Sequence, residues 1–142
     1  MLARRPSSAT LIAPVLLALL ALLVTSPAVA QTGSAAAWRA TPASLLKGTL
    51  RGVAAAQTRH HTIRGTYAAS ISSLGVALEP GVRVDILAAG PDGWQGRATH
   101  RDQPGRSCVI FVGRVEERES PRTDEDREMA GEAGVPLCDR MR

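Results

Sequence analysis

The sequence predicts an α+β domain: an N-terminal helix packed on a small antiparallel sheet of three to four strands, with a C-terminal loop bounded by a disulfide. Three observations point there. Apolar residues recur at helical spacing between residues 44 and 61. After Gly81 the apolar period drops to two, in short runs separated by Gly- and Pro-rich turns. Two cysteines, Cys108 and Cys138, bracket the last third of the chain.

The helix opens at Thr41-Pro42-Ala43-Ser44. Thr41 or Ser44 can cap it, and Pro42 suits a first turn, where its missing N–H costs nothing. Leu46, Leu50, Val53 and Ala54 fall on one stripe, and Lys47, Arg51 and Arg59 lie off it. Gly48 and Gly52 each weaken the helix by roughly 1 kcal/mol relative to alanine. Their G-x-x-x-G spacing predicts a close approach of helix to sheet. The helix should run to about His61 and end before Gly65.

Gly65-Thr66-Tyr67 turns the chain, and Ile71-Ser72-Ser73-Leu74 can form a short helical turn. In Val82 to Ile86, valine and isoleucine alternate with Arg83 and Asp85, which predicts a half-buried strand. After Gly90-Pro91-Asp92-Gly93, Trp94, Gly96 and Ala98 alternate with Gln95, Arg97 and Thr99. Ser107 to Val112 is the most apolar run, which places it centrally in the sheet. Short turns between these strands imply an antiparallel meander. Residues 116–132 hold eight acidic residues and three arginines and predict a solvated loop. Val135-Pro136-Leu137-Cys138 returns the chain to the body.

The first thirty residues have the layout of a secretory signal peptide: Arg4-Arg5, an apolar run from Leu11 to Val24, and Ala28-Val29-Ala30 before Gln31. The apolar run is 14 residues, against roughly 20 for a spanning helix. The expected organisation is a signal peptide over 1–30, a flexible Ala/Ser/Thr/Gly-rich leader over 31–43 carrying Trp38, and one globular domain over 44–142. The expected location is extracytoplasmic, periplasmic or secreted, with no stable membrane span after cleavage.

An oxidising compartment makes Cys108 and Cys138 a predicted structural disulfide. The alternatives are a redox or metal-ligating pair. Neither cysteine sits in a C-x-x-C, and no histidine is spaced beside them as a zinc ligand would be. Charge argues against nucleic acid as a partner. Two of the 17 basic residues lie in 1–30 and all 13 acidic ones follow, which leaves 15 against 13, a net charge of +2. No basic run is interleaved with aromatic residues.

No catalytic, metal or cofactor site is expected. His60, His61 and His100 are the only histidines; with Asp102 or an acidic loop residue they could ligate a metal, but they read as ordinary residues at a helix end and a strand end. Asp124-Glu125-Asp126 with Glu128 lacks the glycine and terminal glutamate of a calcium loop. No G-x-S-x-G or framed triad is present, and Asp92 sits in a turn, where its role is geometric. Trp94 is expected in the core, with contact to a partner as its functional alternative. Arg83, Arg97 and Arg101 are expected as exposed charges at the rim of a partner surface.

The order of residues also resembles a known family. Leu50-Arg51-x-Val53-Ala54-Ala55-Ala56-Gln57, Gly65-Thr66-Tyr67 and Ser73-Leu74-Gly75 are followed by Gly81-Val82-Arg83-Val84, Gly93-Trp94-x-Gly96-x-Ala98-Thr99-His100 and Gly105-Arg106-Ser107-Cys108-Val109-Ile110-Phe111-Val112-Gly113. Over residues 45–138 this is similar to the head domain of bacterial type IV pilins and pseudopilins, with Cys138 in the place of the late second cysteine. The resemblance implies a helix end, a connecting loop, a small antiparallel sheet and a disulfide-bounded loop. It also implies a non-enzymatic role by protein–protein contact in the cell envelope, a pilus or a type II secretion pseudopilus. The chain departs from the family at its start. It has no Gly-Phe cleavage site and no long apolar helix with an early glutamate, so the resemblance implies a head detached from its polymerising stalk. A free periplasmic or secreted module that binds a small ligand is the alternative use of the same architecture.

Overall fold

The computed structural model describes residues 40–142. The expected signal peptide, and the leader up to residue 39 with Trp38, lie outside the described residues. In chain order the fold is α1 (Pro42–Arg64), a 3₁₀ turn (Ile71–Leu74), β1 (Val82–Ala89), β2 (Gly93–His100), β3 (Ser107–Gly113) and β4 (Leu137–Cys138).

Helix α1 starts two residues ahead of the boundary drawn at residue 44. Thr41 is its N-cap: the hydroxyl accepts the Ser44 N–H at 3.2 Å, and Pro42 follows in the first turn. The helix stops at Gly65, whose φ of 73° only glycine adopts cheaply and whose N–H donates to His61 O. Leu46, Leu50, Val53, Ala56 and Gln57 form its buried stripe.

Gly48 and Gly52 correct the sequence reading. They are exposed, and a Cβ at either position would meet nothing within 4 Å. They lie on the face of α1 turned away from the sheet, beside Val76 and Ala77, so the helix does not use them to approach it.

The four strands form one antiparallel sheet in the order β1-β2-β3-β4. Trp94, Gly96 and Ala98 of β2 stand opposite Val112, Ile110 and Cys108 of β3, on the face that receives α1. Val84 joins them from β1, where a bulge between Ile86 and Ala88 shifts the register. Leu46, Leu50 and Val53 close the core from above, with Tyr67, Ile71, Leu74 and Leu78 packed at its edge.

Gly96 is part of this packing. A Cβ there would lie 2.7 Å from Trp94 Cζ3, so the missing side chain makes room for the indole across the strand. Gln57 secures the segment that follows the helix. Its amide donates to Ala68 O at 2.8 Å and accepts the Ala68 N–H at 2.7 Å, a reciprocal pair in a buried place. The Tyr67 N–H then bonds Gly90 O, tying that segment to the end of β1.

Candidate functional site

The second face of the sheet carries Arg83 and Asp85 from β1, Gln95 and Arg97 from β2, and Ser107, Val109 and Phe111 from β3. The predicted solvated loop covers part of it and is better ordered than its composition implies. Arg122 and Met129 form an antiparallel bridge, the Thr123 N–H bonds Glu128 O, and the Ala130 N–H bonds Pro121 O. These contacts make residues 121–130 a small hairpin with Pro121, Thr123 and Ala130 buried.

Asp139 explains why this charged segment settles. It follows Cys138, and its residue is 2% exposed. The disulfide Cys108–Cys138, expected from the sequence, joins residues that sit directly opposite in the β3–β4 ladder. It thereby sets the Asp139 carboxylate against the loop. Oδ2 accepts the N–H groups of Ser107 at 2.7 Å and Glu125 at 3.2 Å, and Oδ1 accepts that of Asp126 at 2.9 Å. Burial works to raise the Asp139 pKa. The Asp126, Ser107 and Glu125 N–H groups outweigh it and hold the carboxyl below its usual range. The hairpin tip thus gives the Glu125 and Asp126 N–H groups to one carboxylate and the Asp124 and Glu125 side chains to arginines. Asp124 meets Arg97 at 3.1 Å, and Glu125 meets the nearly buried Arg106 at 2.8 Å.

The three arginines expected at a rim are in different settings. Arg83 is 78% exposed and pairs with Asp85 on its own strand at 2.9 Å. Arg97 is not a free rim charge: it lies between Asp124 and Asp85, at 3.1 and 3.7 Å. Arg101 falls in the turn after β2 rather than on a strand and sits 3.6 Å from Asp102. Exposed pairs of this kind contribute little to stability.

Trp94 goes to the core. It is fully buried among Leu46, Leu50 and Ile110, so it has no surface left for a partner. Its strand starts next to a tight turn, and its parity with Gly96 and Ala98 points it at the helix.

The histidines have local roles. His60 Nδ1 donates to Thr66 O at 2.9 Å, and His61 Nε2 donates to Pro91 O at 2.8 Å while its ring stacks on Tyr67. His100 Nδ1 accepts the Asp102 N–H. Among the described residues no group of three or more His, Cys, Asp or Glu is placed to hold a metal ion.

An open cleft of about 1010 Å³ lies beside the start of the acidic segment, between residues 114–120 and the second sheet face. Gln95, Phe111, Arg114 and Glu117 are among its walls. Gln95 donates from its amide to Glu119 O at 2.6 Å and holds the outer wall in place.

Sequence reasoning missed Asp139 and Gln57 as organising residues. Gln57 had a signal, since it falls on the apolar stripe four residues beyond Val53. Asp139 had none: a lone aspartate after a cysteine reads as surface. Among the described residues no helix is long and apolar enough to cross a membrane. In comparisons with known proteins, no family model matches the chain and no curated protein matches it significantly.

Proposed function

We propose that this chain is an exported, pilin-like head that acts by protein–protein contact in the cell envelope, on a pilus or a type II secretion pseudopilus, and performs no catalysis. The observation that carries this reading is the way the chain closes. A helix covers one sheet face, and a cross-strand disulfide pins a C-terminal segment over part of the other. The helix, the small antiparallel sheet and the disulfide-bounded loop are the parts the resemblance implies, and the loop presents a charged surface held in shape by main-chain bonds. A rigid surface loses less conformational freedom on association than a loose loop does.

The test is in-cell crosslinking from an exposed residue of the hairpin, such as Glu128, followed by identification of the adduct. The proposal expects adducts with pilin or pseudopilin subunits, or with their envelope machinery. Crosslinks that never include such a protein contradict it.

A second reading has one observation in its favour. The cleft beside Gln95 and Phe111 is large enough for a small molecule, so a ligand-binding module is the competitor. A small molecule retained through purification of the exported protein, and lost in Phe111→Ala, would replace the first reading with this one.

A further inference from the structure

Among the described residues β1 is one edge of the sheet, and the two-residue β4 is the other. The Arg101 N–H bond to Gly81 O, at 2.9 Å, fixes which of its groups face β2. In the register Val82↔His100 to Ile86↔Gly96, Arg83 and Asp85 then exchange main-chain bonds with β2. Val82, Val84 and Ile86 turn their N–H and C=O groups to the outside. Glu79 O takes the Val82 N–H. The Val82 C=O and both main-chain groups of Val84 and Ile86 have no hydrogen-bond partner among the described residues. A row of this kind is a template for another strand. It is bounded at one end by the Glu79 contact and at the other by the bulge, where Arg118 Nη1 lies 3.4 Å from Leu87 O.

The side chains in this window say which strand fits. Val82-Arg83-Val84-Asp85-Ile86 is symmetric about Val84 in its apolar positions and opposite in its charges. We propose that β1 pairs antiparallel with β1 of a second copy of this chain, about a two-fold axis at Val84. Each copy's Arg83 then stands opposite the other copy's Asp85, and each Val82 stands opposite an Ile86. The Val84 groups bond each other reciprocally, and each Ile86 N–H reaches the Val82 C=O of the other copy. Asp85 already faces Arg97, which faces Asp124, so the charges alternate across the joined sheet: Asp124, Arg97, Asp85, then Arg83 of the second copy. A two-fold contact of this kind closes on itself and forms a dimer rather than a filament. Five residues per strand bury less than a standard stable interface, so the association is weak and screened by salt. The inference uses only the edge and its charges and is independent of the pilin-like reading.

The test is sedimentation equilibrium of the oxidised exported chain at low salt, together with amide exchange as a function of concentration. The expected result is a monomer–dimer equilibrium with a Kd between about 1 μM and 1 mM. Protection of the Val84 and Ile86 amides should rise as dimer forms. Arg83→Asp puts like charges opposite each other at both symmetric positions and should weaken association roughly tenfold or more. Arg83→Asp/Asp85→Arg restores opposite charges and should recover it. That double variant sets an arginine beside Arg97, so its circular dichroism spectrum is compared with the native one before it is scored. Arg83→Asp changes an exposed side chain and serves alone if the double variant misfolds. A native chain that stays monomeric at about 1 mM overturns the proposal. So does an Arg83→Asp variant that associates as tightly as the native chain, or a dimer in which Val84 and Ile86 gain no protection.

Discussion

Ser107 and Asp139 hold each other at both ends. The Ser107 N–H donates to Asp139 Oδ2 at 2.7 Å, and the Asp139 N–H donates to Ser107 O at 2.9 Å. The pair continues the β3–β4 ladder one step past the disulfide. The Ser107 hydroxyl also accepts the Asp124 N–H at 2.9 Å. A short strand, a covalent bond and one carboxylate together order the acidic segment.

Asp139→Asn keeps the shape but turns an acceptor of three N–H groups into a side chain that must present an NH₂ to some of them. The expected loss is about 2–4 kcal/mol, read by urea denaturation. Faster exchange of the Glu125 and Asp126 amides should accompany it.

The same carboxylate sets an acid limb in the stability curve. Its pKa is lower in the folded chain than in the unfolded one, where a carboxyl of this type titrates near 3.9. Its contribution is therefore complete above about pH 5 and is lost as pH falls past the unfolded value toward the folded one. Denaturation midpoints measured from pH 7 down to pH 2 should fall, and Asp139→Asn should flatten that fall.

Reduction of Cys108–Cys138 opens a loop of 30 residues and should cost roughly 3–4 kcal/mol. Its effect is also local, since β4 and Asp139 lose their tether. The hairpin over 121–130 should become protease-sensitive before the rest of the sheet does.

Two glycine replacements should act in opposite directions. Gly52→Ala fills open space on a helix and should stabilise by about 1 kcal/mol. Gly96→Ala drives a methyl into a fully buried indole and should destabilise by about 1–3 kcal/mol. Thermal denaturation of both checks the pair, and Trp94 fluorescence should change only in Gly96→Ala.

Gln57→Leu leaves the Ala68 N–H and C=O unpaired in a buried place. The expected cost is roughly 2–4 kcal/mol, against almost none for Thr58→Leu one position on.

Helix and strands were legible because their signals are local. Thr41, Pro42 and Gly65 mark both ends of α1, and the parity of Trp94, Gly96 and Ala98 set the inner face of β2. The disulfide was legible from the count of two cysteines outside any C-x-x-C, together with the oxidising compartment expected from the first thirty residues. The acidic segment is exposed along most of its length, as its composition implies, but its order comes from main-chain bonds of its own and from Asp139 across the β3–β4 ladder, which composition does not register. Gly48 and Gly52 misled because their spacing is equally compatible with an unpacked face. The arginines were found by position, but whether each is free or paired depends on register: Arg97 meets Asp85 only because Asp85↔Arg97 is a cross-strand pair.

The central claim is an exported head closed by its disulfide, and mass spectrometry of the mature protein from fractionated cells tests it most directly. The account predicts a soluble species that begins at Gln31 and is lighter than the fully reduced mass by the two hydrogens lost at Cys108 and Cys138. A membrane-bound species that keeps residues 1–30, or a soluble one with both thiols free, would contradict it.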